Sequence, residues 1–143
     1  MIQNIDYAET FLEIAGAKIP GDMQGQSLVQ LLKGKSPKDW RTSIYYHYYE
    51  YPSYHMVPRH YGIRTERYKL MHFYRFGKEW EMYDLKTDPE ELTNIYGRQG
   101  RAKLATNLKK QLYALQKHYG DDSDFSEMPQ EWKDRMRPGT TKK

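Results

Sequence analysis

Residues 42–51 read Thr-Ser-Ile-Tyr-Tyr-His-Tyr-Tyr-Glu-Tyr, and this run constrains the fold more than any other stretch of the chain. β-branched and aromatic residues fill it, and its alternation puts Ile44, Tyr46 and Tyr48 on one face and Tyr45, His47 and Tyr49 on the other. A strand that wide and aromatic needs neighbours. A loop with Pro52 and Pro58 leads to a second β-prone run, His60 to Thr65, and a third, Tyr68 to Tyr74. Only Glu66 and Arg67 separate these two, the spacing of a tight hairpin turn. A fourth run, Glu79 to Tyr83, follows a break at Gly77 and Lys78, which predicts an antiparallel meander of about four strands.

What covers the sheet is legible further on. Leu104, Leu108, Leu112 and Leu115 recur at helical spacing between Arg101 and His118, with Lys and Gln on the other side, so this helix is expected to lie across the sheet. Two short helices precede the strands. One spans Asn4 to Ala15, with Ile5, Ala8, Phe11, Leu12 and Ala15 as its apolar stripe and Gly16 as its stop. The other starts near Ser27 and runs through Leu28, Leu31 and Leu32. A helix so close to the start of a chain has little to pack on, and its stripe implies a partner layer. The class expected is α+β: an antiparallel sheet of about four strands against a C-terminal amphipathic helix, with short helices before it. The parts divide as residues 1–36, two helices that belong with another layer; 37–120, the α+β unit; and 121–143, a loose polar extension.

Composition sets the kind of core. The mean hydropathy is −1.02, yet 14 Tyr, 4 Phe and 3 Trp in 143 residues exclude a disordered chain. The core must use amphipathic aromatics, which bury a ring and keep a hydroxyl wet, so one sheet face is suited to a polar interface or a sugar. A net charge of +4 from 23 basic and 19 acidic residues is too mild and mixed to demand nucleic acid. With no cysteine there is no disulfide frame, thiolate metal site or thiol nucleophile. No apolar stretch approaches the roughly 20 residues that span a bilayer, and the region after Met1 lacks the pattern of a signal peptide.

Four segments in register carry a resemblance. Glu79 to Tyr96 presents Tyr83, Asp84, Leu85, Asp88, Pro89, Glu90, Glu91, Asn94 and Ile95 in the order of the Tyr-Asp-Leu, Asp-Pro, acidic, Asn signature near the C-terminus of type I, formylglycine-dependent sulfatases. Asn4-Ile5-Asp6-Tyr7-Ala8 with Phe11, Leu12 and Gly16 resembles that family's Asp-containing helix after the last core strand. Gly25-Gln26-Ser27-Leu28 with Leu31, Leu32 and Gly34 resembles its Gly-x-Ser-Leu-x-x-Leu-Leu segment, and Arg64 to Leu70 is similar to the hairpin that follows. The resemblance covers residues 2 to 119 and points to bacterial glycan sulfatases. Within the signature, Pro89 is expected to fix a turn opened by Asp88, with Glu90 and Glu91 at the start of a helical turn.

The resemblance implies hydrolysis of a sulfate ester, on a glycan, by a larger protein. It also implies calcium and a formylglycine made from a Cys/Ser-x-Pro-Ser-Arg motif. Neither that motif nor, early in the chain, the paired aspartates of the calcium site stands in this sequence, so no catalytic residue and no metal ligand carries over to it. Both are implied for a catalytic domain upstream, which becomes the expected partner; Met1 falls where members of the family continue. Export would then rest on a signal upstream, in the periplasm or outside the cell. An interdomain face exposed in isolation also offers a route to a homodimer.

What remains is substrate contact. The loop between the first two strands holds Glu50, Tyr54, His55, Arg59 and His60 among prolines. A sulfated sugar asks for a cation, a His or Glu for hydroxyls and a ring to stack on. Glu50, His60, Arg59 and Arg64 are the candidate substrate-binding residues, against the plainer reading that His60 ends a strand and Glu50 pairs at the surface. Four other readings compete with this one. His47, His55, His60 and His72 have no compelling metal spacing, and Asp121, Asp122 and Asp124 lack the Gly and Glu of a calcium loop and read as a solvated acidic loop. Arg59, Arg64, Arg67, Lys69 and Arg75 among aromatics form a weak nucleic-acid pattern without the paired aromatic signatures of RNA-binding sheets. A free-standing carbohydrate-binding module is the alternative that needs no upstream domain.

Overall fold

The computed structural model of the chain describes residues 1–51, 55–74 and 79–122. The chain separates into a first unit, Met1–Ile44, and a second that begins at Tyr45.

The first unit holds α1 (Asp6–Ile14) and the single turn α2 (Val29–Leu32). Asp6 and Glu9 sit in the first turn of α1, where the helix dipole favours anions. The helix ends in a Schellman motif: Ala17 N–H donates to the Leu12 carbonyl at 2.9 Å and Gly16 N–H to that of Glu13 at 3.1 Å, with Gly16 left-handed at φ 68°. The N-cap of α2 is Leu28 and not Ser27, whose Oγ accepts the Val29 amide at 3.3 Å from one position further out.

The face that α1 turns inward is polar. Asp6, Glu9 and Thr10 are buried, whereas Ile5, Ala8, Phe11 and Ala15 of the expected stripe are exposed. The physical reason lies in the loop that α1 holds. The Asp6 carboxylate accepts the amides of Gln3 (2.7 Å) and Gln26 (2.9 Å) and both terminal nitrogens of Arg41 (2.6 and 2.7 Å). Glu9 Oε1 accepts the Gly25 amide at 2.6 Å, and Thr10 Oγ1 accepts that of Leu28 at 2.9 Å while donating to the Asp6 carbonyl at 2.6 Å. Gly25 is required here, because a Cβ would fall on the Ile5 carbonyl and the Glu9 carboxylate.

The sheet runs in the order β1 (Ser43–Tyr48), β2 (His60–Thr65), β3 (Tyr68–Phe73), β4 (Glu79–Asp84), and all of it from Tyr45 on belongs to the second unit. It is the meander expected. β2 and β3 are antiparallel with His60 opposite Phe73 and Arg64 opposite Lys69, and β3 meets β4 with Tyr68 opposite Asp84 and Leu70 opposite Met82. Tyr61, Ile63, Leu70, Tyr74 and Met82 form one buried face, against which α3 (Ala102–His118) lays Ala105, Leu108 and Leu112. Leu108 and Leu112 anchor the predicted stripe; Leu104 and Leu115 flank it, half-buried.

The segment after β4 acts as a corner. Asp84 accepts Arg67 Nε and Nη2 at 2.9 and 2.8 Å, and Asn94 Oδ1 accepts the Met82 and Tyr96 amides while its Nδ2 donates to the Trp80 carbonyl. Ile95 N–H adds a bond to the Met82 carbonyl, so residues 94–95 cover the outer edge of β4. Glu90 and Glu91 do not begin a helical turn. Glu91 is left-handed, and the carboxylate of Asp88 caps the loop by accepting the amides of Leu92 and Thr93 at 3.1 and 2.8 Å. The break at Gly77 and Lys78 lies outside the described residues.

Candidate functional site

Strand alternation places His60, Gly62 and Arg64 on the sheet face opposite α3, with Tyr46 and Tyr48 of β1 and Phe73 of β3. His60 sits in an aromatic frame there. Its ring stacks on Tyr48 at 5.6 Å between centroids and meets Tyr46 edge-on at 5.9 Å and Phe73 at 5.1 Å. Its Nδ1 lies 2.8 Å from the Pro58 carbonyl. A carbonyl only accepts, so Nδ1 carries the proton and the neutral ring presents Nε2 as an acceptor.

The Tyr48–His60 stack sets the end of β1 beside the start of β2. Glu50 lies two residues past β1 and is exposed; Arg59 is buried immediately before His60. Arg64 stands apart, exposed and roughly 13 Å further along β2 at about 3.3 Å per residue. Tyr54 lies outside the described residues. Tyr46 lies over Gly62, and burial raises its phenol pKa, with the charges of Glu91 and Glu81 adding to the effect.

The α3 face holds a polar cluster that sequence reasoning missed. His47 is buried with Nδ1 2.9 Å from Asp121 Oδ2 and Nε2 3.0 Å from the Tyr74 hydroxyl, and Tyr45 also donates to Asp121. Asp121 is therefore a buried partner of two aromatic side chains and not part of a solvated loop; Asp124 lies outside the described residues. Burial lowers the His47 pKa and outweighs the opposing pull of Asp121. Burial also pushes the neighbouring Tyr61 up to about 12. Further along, Lys109 Nζ sits 3.9 Å from the Trp80 ring and donates to the Tyr96 hydroxyl at 2.7 Å, tying α3 to β4.

The four histidines do not converge. His47 and His72 face α3, His60 faces away, and His72 stacks on Trp80 at 4.3 Å and meets the Tyr61 hydroxyl at 3.0 Å. Among the described residues no group of three or more His, Asp or Glu could hold a metal ion. The sequence also lacks the Cys/Ser-x-Pro-Ser-Arg motif from which a formylglycine is made. Two of the basic side chains on the hairpin are already engaged, Arg67 by Asp84 and Lys69 by Glu91 at 2.5 Å. No helix of the described residues is long and apolar enough to cross a membrane.

An antiparallel four-stranded sheet closed by one helix, with the Tyr-Asp-Leu corner, is the C-terminal architecture the sequence resembled. The family model of the N-sulphoglucosamine sulphohydrolase C-terminal domain matches residues 1–118, and the chain belongs to that family. It is 53% identical over 121 residues to the N-acetylglucosamine-6-O-sulfatase of Bacteroides thetaiotaomicron, which covers 83% of this chain and 22% of that protein. The solved structure of BT4656 in complex with its substrate D-glucosamine-2-N,6-O-disulfate superposes with a TM-score of 0.81 at 50% identity, over 86% of this chain and 25% of that one. BT1596, a 2-O GAG sulfatase, superposes with a TM-score of 0.72 at 25% identity, over 82% of this chain and 25% of that one. The chain thus spans about a quarter of the length of these relatives. These matches give no support to a free-standing carbohydrate-binding module.

Proposed function

We propose that this domain completes a sulfatase that removes a sulfate ester from a glycan, with 6-O-sulfated glucosamine units as the substrate class. The observation that carries the reading is the 53% identity to an N-acetylglucosamine-6-O-sulfatase, joined to the close superposition on a relative that holds a 2-N,6-O-disulfated glucosamine. The catalytic part, with its formylglycine and calcium, belongs to the larger remainder of such a protein. This domain supplies packing and the rim of the substrate pocket.

On the rim, Glu50, Arg59 and His60 act at one end of the sheet. His60, oriented by its bond to Pro58, accepts a sugar hydroxyl through Nε2 or donates to an anionic oxygen when protonated. Arg59 and the more distant Arg64 offer cations to a second sulfate or a carboxylate, and Glu50 accepts from a hydroxyl. The test is a fusion in which this chain replaces the matched C-terminal 22% of the Bacteroides relative. Replacing Glu50 or His60 by Ala should raise KM about tenfold, the ~1.4 kcal/mol of one lost charge-assisted hydrogen bond, with a smaller change in kcat. Unaltered KM and kcat in both single variants would remove Glu50 and His60 from the rim.

A further inference from the structure

The two faces of β1 carry different partners. Tyr46 and Tyr48 lie on the face of His60, and Tyr48 stacks on the His60 ring. Tyr45 and His47 lie on the other face, with α3. β1 is also an edge strand, with β2 as its one strand neighbour. A strand paired on one side keeps its place only if its side chains are tied elsewhere.

The tie is a single carboxylate oxygen. Asp121 Oδ2 accepts both the Tyr45 hydroxyl and His47 Nδ1, the latter at 2.9 Å, and the imidazole and the carboxylate are both buried. A carboxylate only accepts, so Nδ1 carries the proton, and in the neutral ring Nε2 accepts the Tyr74 hydroxyl at 3.0 Å. Gln116 of α3 donates to the Tyr45 oxygen at 3.4 Å, and Tyr119 stacks on the Tyr45 ring at 6.4 Å. Asp121 in turn is fixed by the end of α3. Its amide donates to the Gln116 carbonyl at 3.0 Å and that of Gly120 to Lys117 at 3.3 Å, with Gly120 left-handed at φ 65°, a Schellman motif. The carboxylate therefore moves with α3, which Leu108 and Leu112 seat on the sheet.

We propose that Asp121, with Tyr45 and His47, positions the substrate rim: by clasping β1 to α3 it sets where Tyr48 stacks, and so where the His60 ring stands. The proposal rests on the reading of His60 as a substrate contact and adds to it three positioning residues that act through it from the α3 side of the sheet. The mechanical path is short, because His47 and Tyr48 are adjacent in the chain and Tyr48 meets His60 directly. The bond from His60 to Pro58 joins two residues of one segment, so it sets the tautomer but not the place of the ring relative to β1. A misplacement of about 1 Å at a binding group is enough to be felt by the substrate.

In the 143-residue chain the His60 ring protons carry the ring-current shift of the Tyr48 stack, and Tyr48→Leu shows the resonances expected when the stack is lost. Asp121→Ala should move the His60 resonances in the direction of Tyr48→Leu. Tyr45→Phe, which removes one bond and no ring, should move them less, and the double variant should go no further than Asp121→Ala, because Tyr45 acts through Asp121. Should Asp121→Ala fail to fold, Tyr45→Phe puts the same question. In the fusion, Asp121→Ala should raise KM for the 6-O-sulfated sugar at least about threefold with kcat changed less than about twofold. Asn94→Ala removes bonds from the far edge of the sheet and should leave KM within about twofold of native.

Native His60 resonances in both Asp121→Ala and Tyr45→Phe would overturn the proposal. So would an equal rise of KM in Asn94→Ala, since general loosening would then be the cause. If His60→Ala raises KM and Asp121→Ala does not, the clasp fails alone; if neither does, the rim reading fails with it. Displaced resonances in the chain, beside a fusion that releases no sulfate, would keep the clasp and sink the substrate reading.

Discussion

Arg41→Met tests the polar pinning of α1. In the native unit the Asp6 carboxylate is fully buried and paired with Arg41 at 2.6 Å. Burial raises its pKa, but the Arg41 hydrogen bonds, the amides of Gln3 and Gln26 and the Arg41 charge together outweigh burial and hold it below the ordinary 3.8. Methionine keeps the apolar stem and removes the cation. Asp6 must then stay charged without its partner or take a proton. Holding a carboxyl protonated at pH 7, about three units above its ordinary value, costs roughly 4 kcal/mol at ~1.4 kcal/mol per unit. That agrees with the ~3–5 kcal/mol seen when one partner of a buried pair is removed.

The pH dependence follows from the same groups. The native pair contributes stability above about pH 3.8 that is lost as pH falls through the lowered folded value. In Arg41→Met the loss relative to the native chain should shrink between pH 7 and pH 4.5, because Asp6 then protonates readily. Amide hydrogen exchange at Gln26 and Leu28, read alongside thermal melts, would report the loss within this unit. Protection within ~0.5 kcal/mol of native, or an equal loss at both pH values, would refute the reasoning.

Further outcomes follow from the second unit. His47 has a folded pKa lowered mainly by burial, so its contribution is complete above its ordinary 6.5 and falls away as pH drops below it. His47→Gln should flatten the fall in melting temperature between pH 7.5 and 5.5; an unchanged slope would place the titration elsewhere. Gly62→Ala would put a Cβ 2.5 Å from Tyr46 Oη and 2.6 Å from the Leu70 carbonyl, an overpacking expected to cost ~1–3 kcal/mol in chemical denaturation. Leu112→Ala, at a position with no exposure at all, should cost ~2–5 kcal/mol, and a change under 1 would mean that α3 does not pack as described.

The sheet and its helix were legible because they are written in local periodicity. β2 begins and ends at the residues that the alternation marks, and Leu108 and Leu112 hold the centre of the stripe. The polar work of α1 was not legible. Periodicity showed its apolar stripe, but Asp6 meets Arg41 35 residues away and Thr10 meets Leu28 18 away, and no spacing rule reports such pairs. The same holds for His47 and Asp121, 74 residues apart, which the sequence offers only as an isolated histidine and part of an acidic run. Asn94 stood in the family signature without a role. Its side chain continues the hydrogen bonding of β4, which explains why an amide suits that position. Of the rim candidates, the aromatic frame around His60 comes from cross-strand neighbours that only the sheet order could supply.

Sulfate release from 6-O-sulfated N-acetylglucosamine, by a fusion in which this chain replaces the matched part of the Bacteroides relative, tests most directly whether this domain completes a glycan sulfatase. A kcat/KM within about tenfold of the Bacteroides enzyme, a difference of ~1.4 kcal/mol, is the predicted result. A folded fusion that releases no sulfate from this or any other sulfated amino sugar would contradict it.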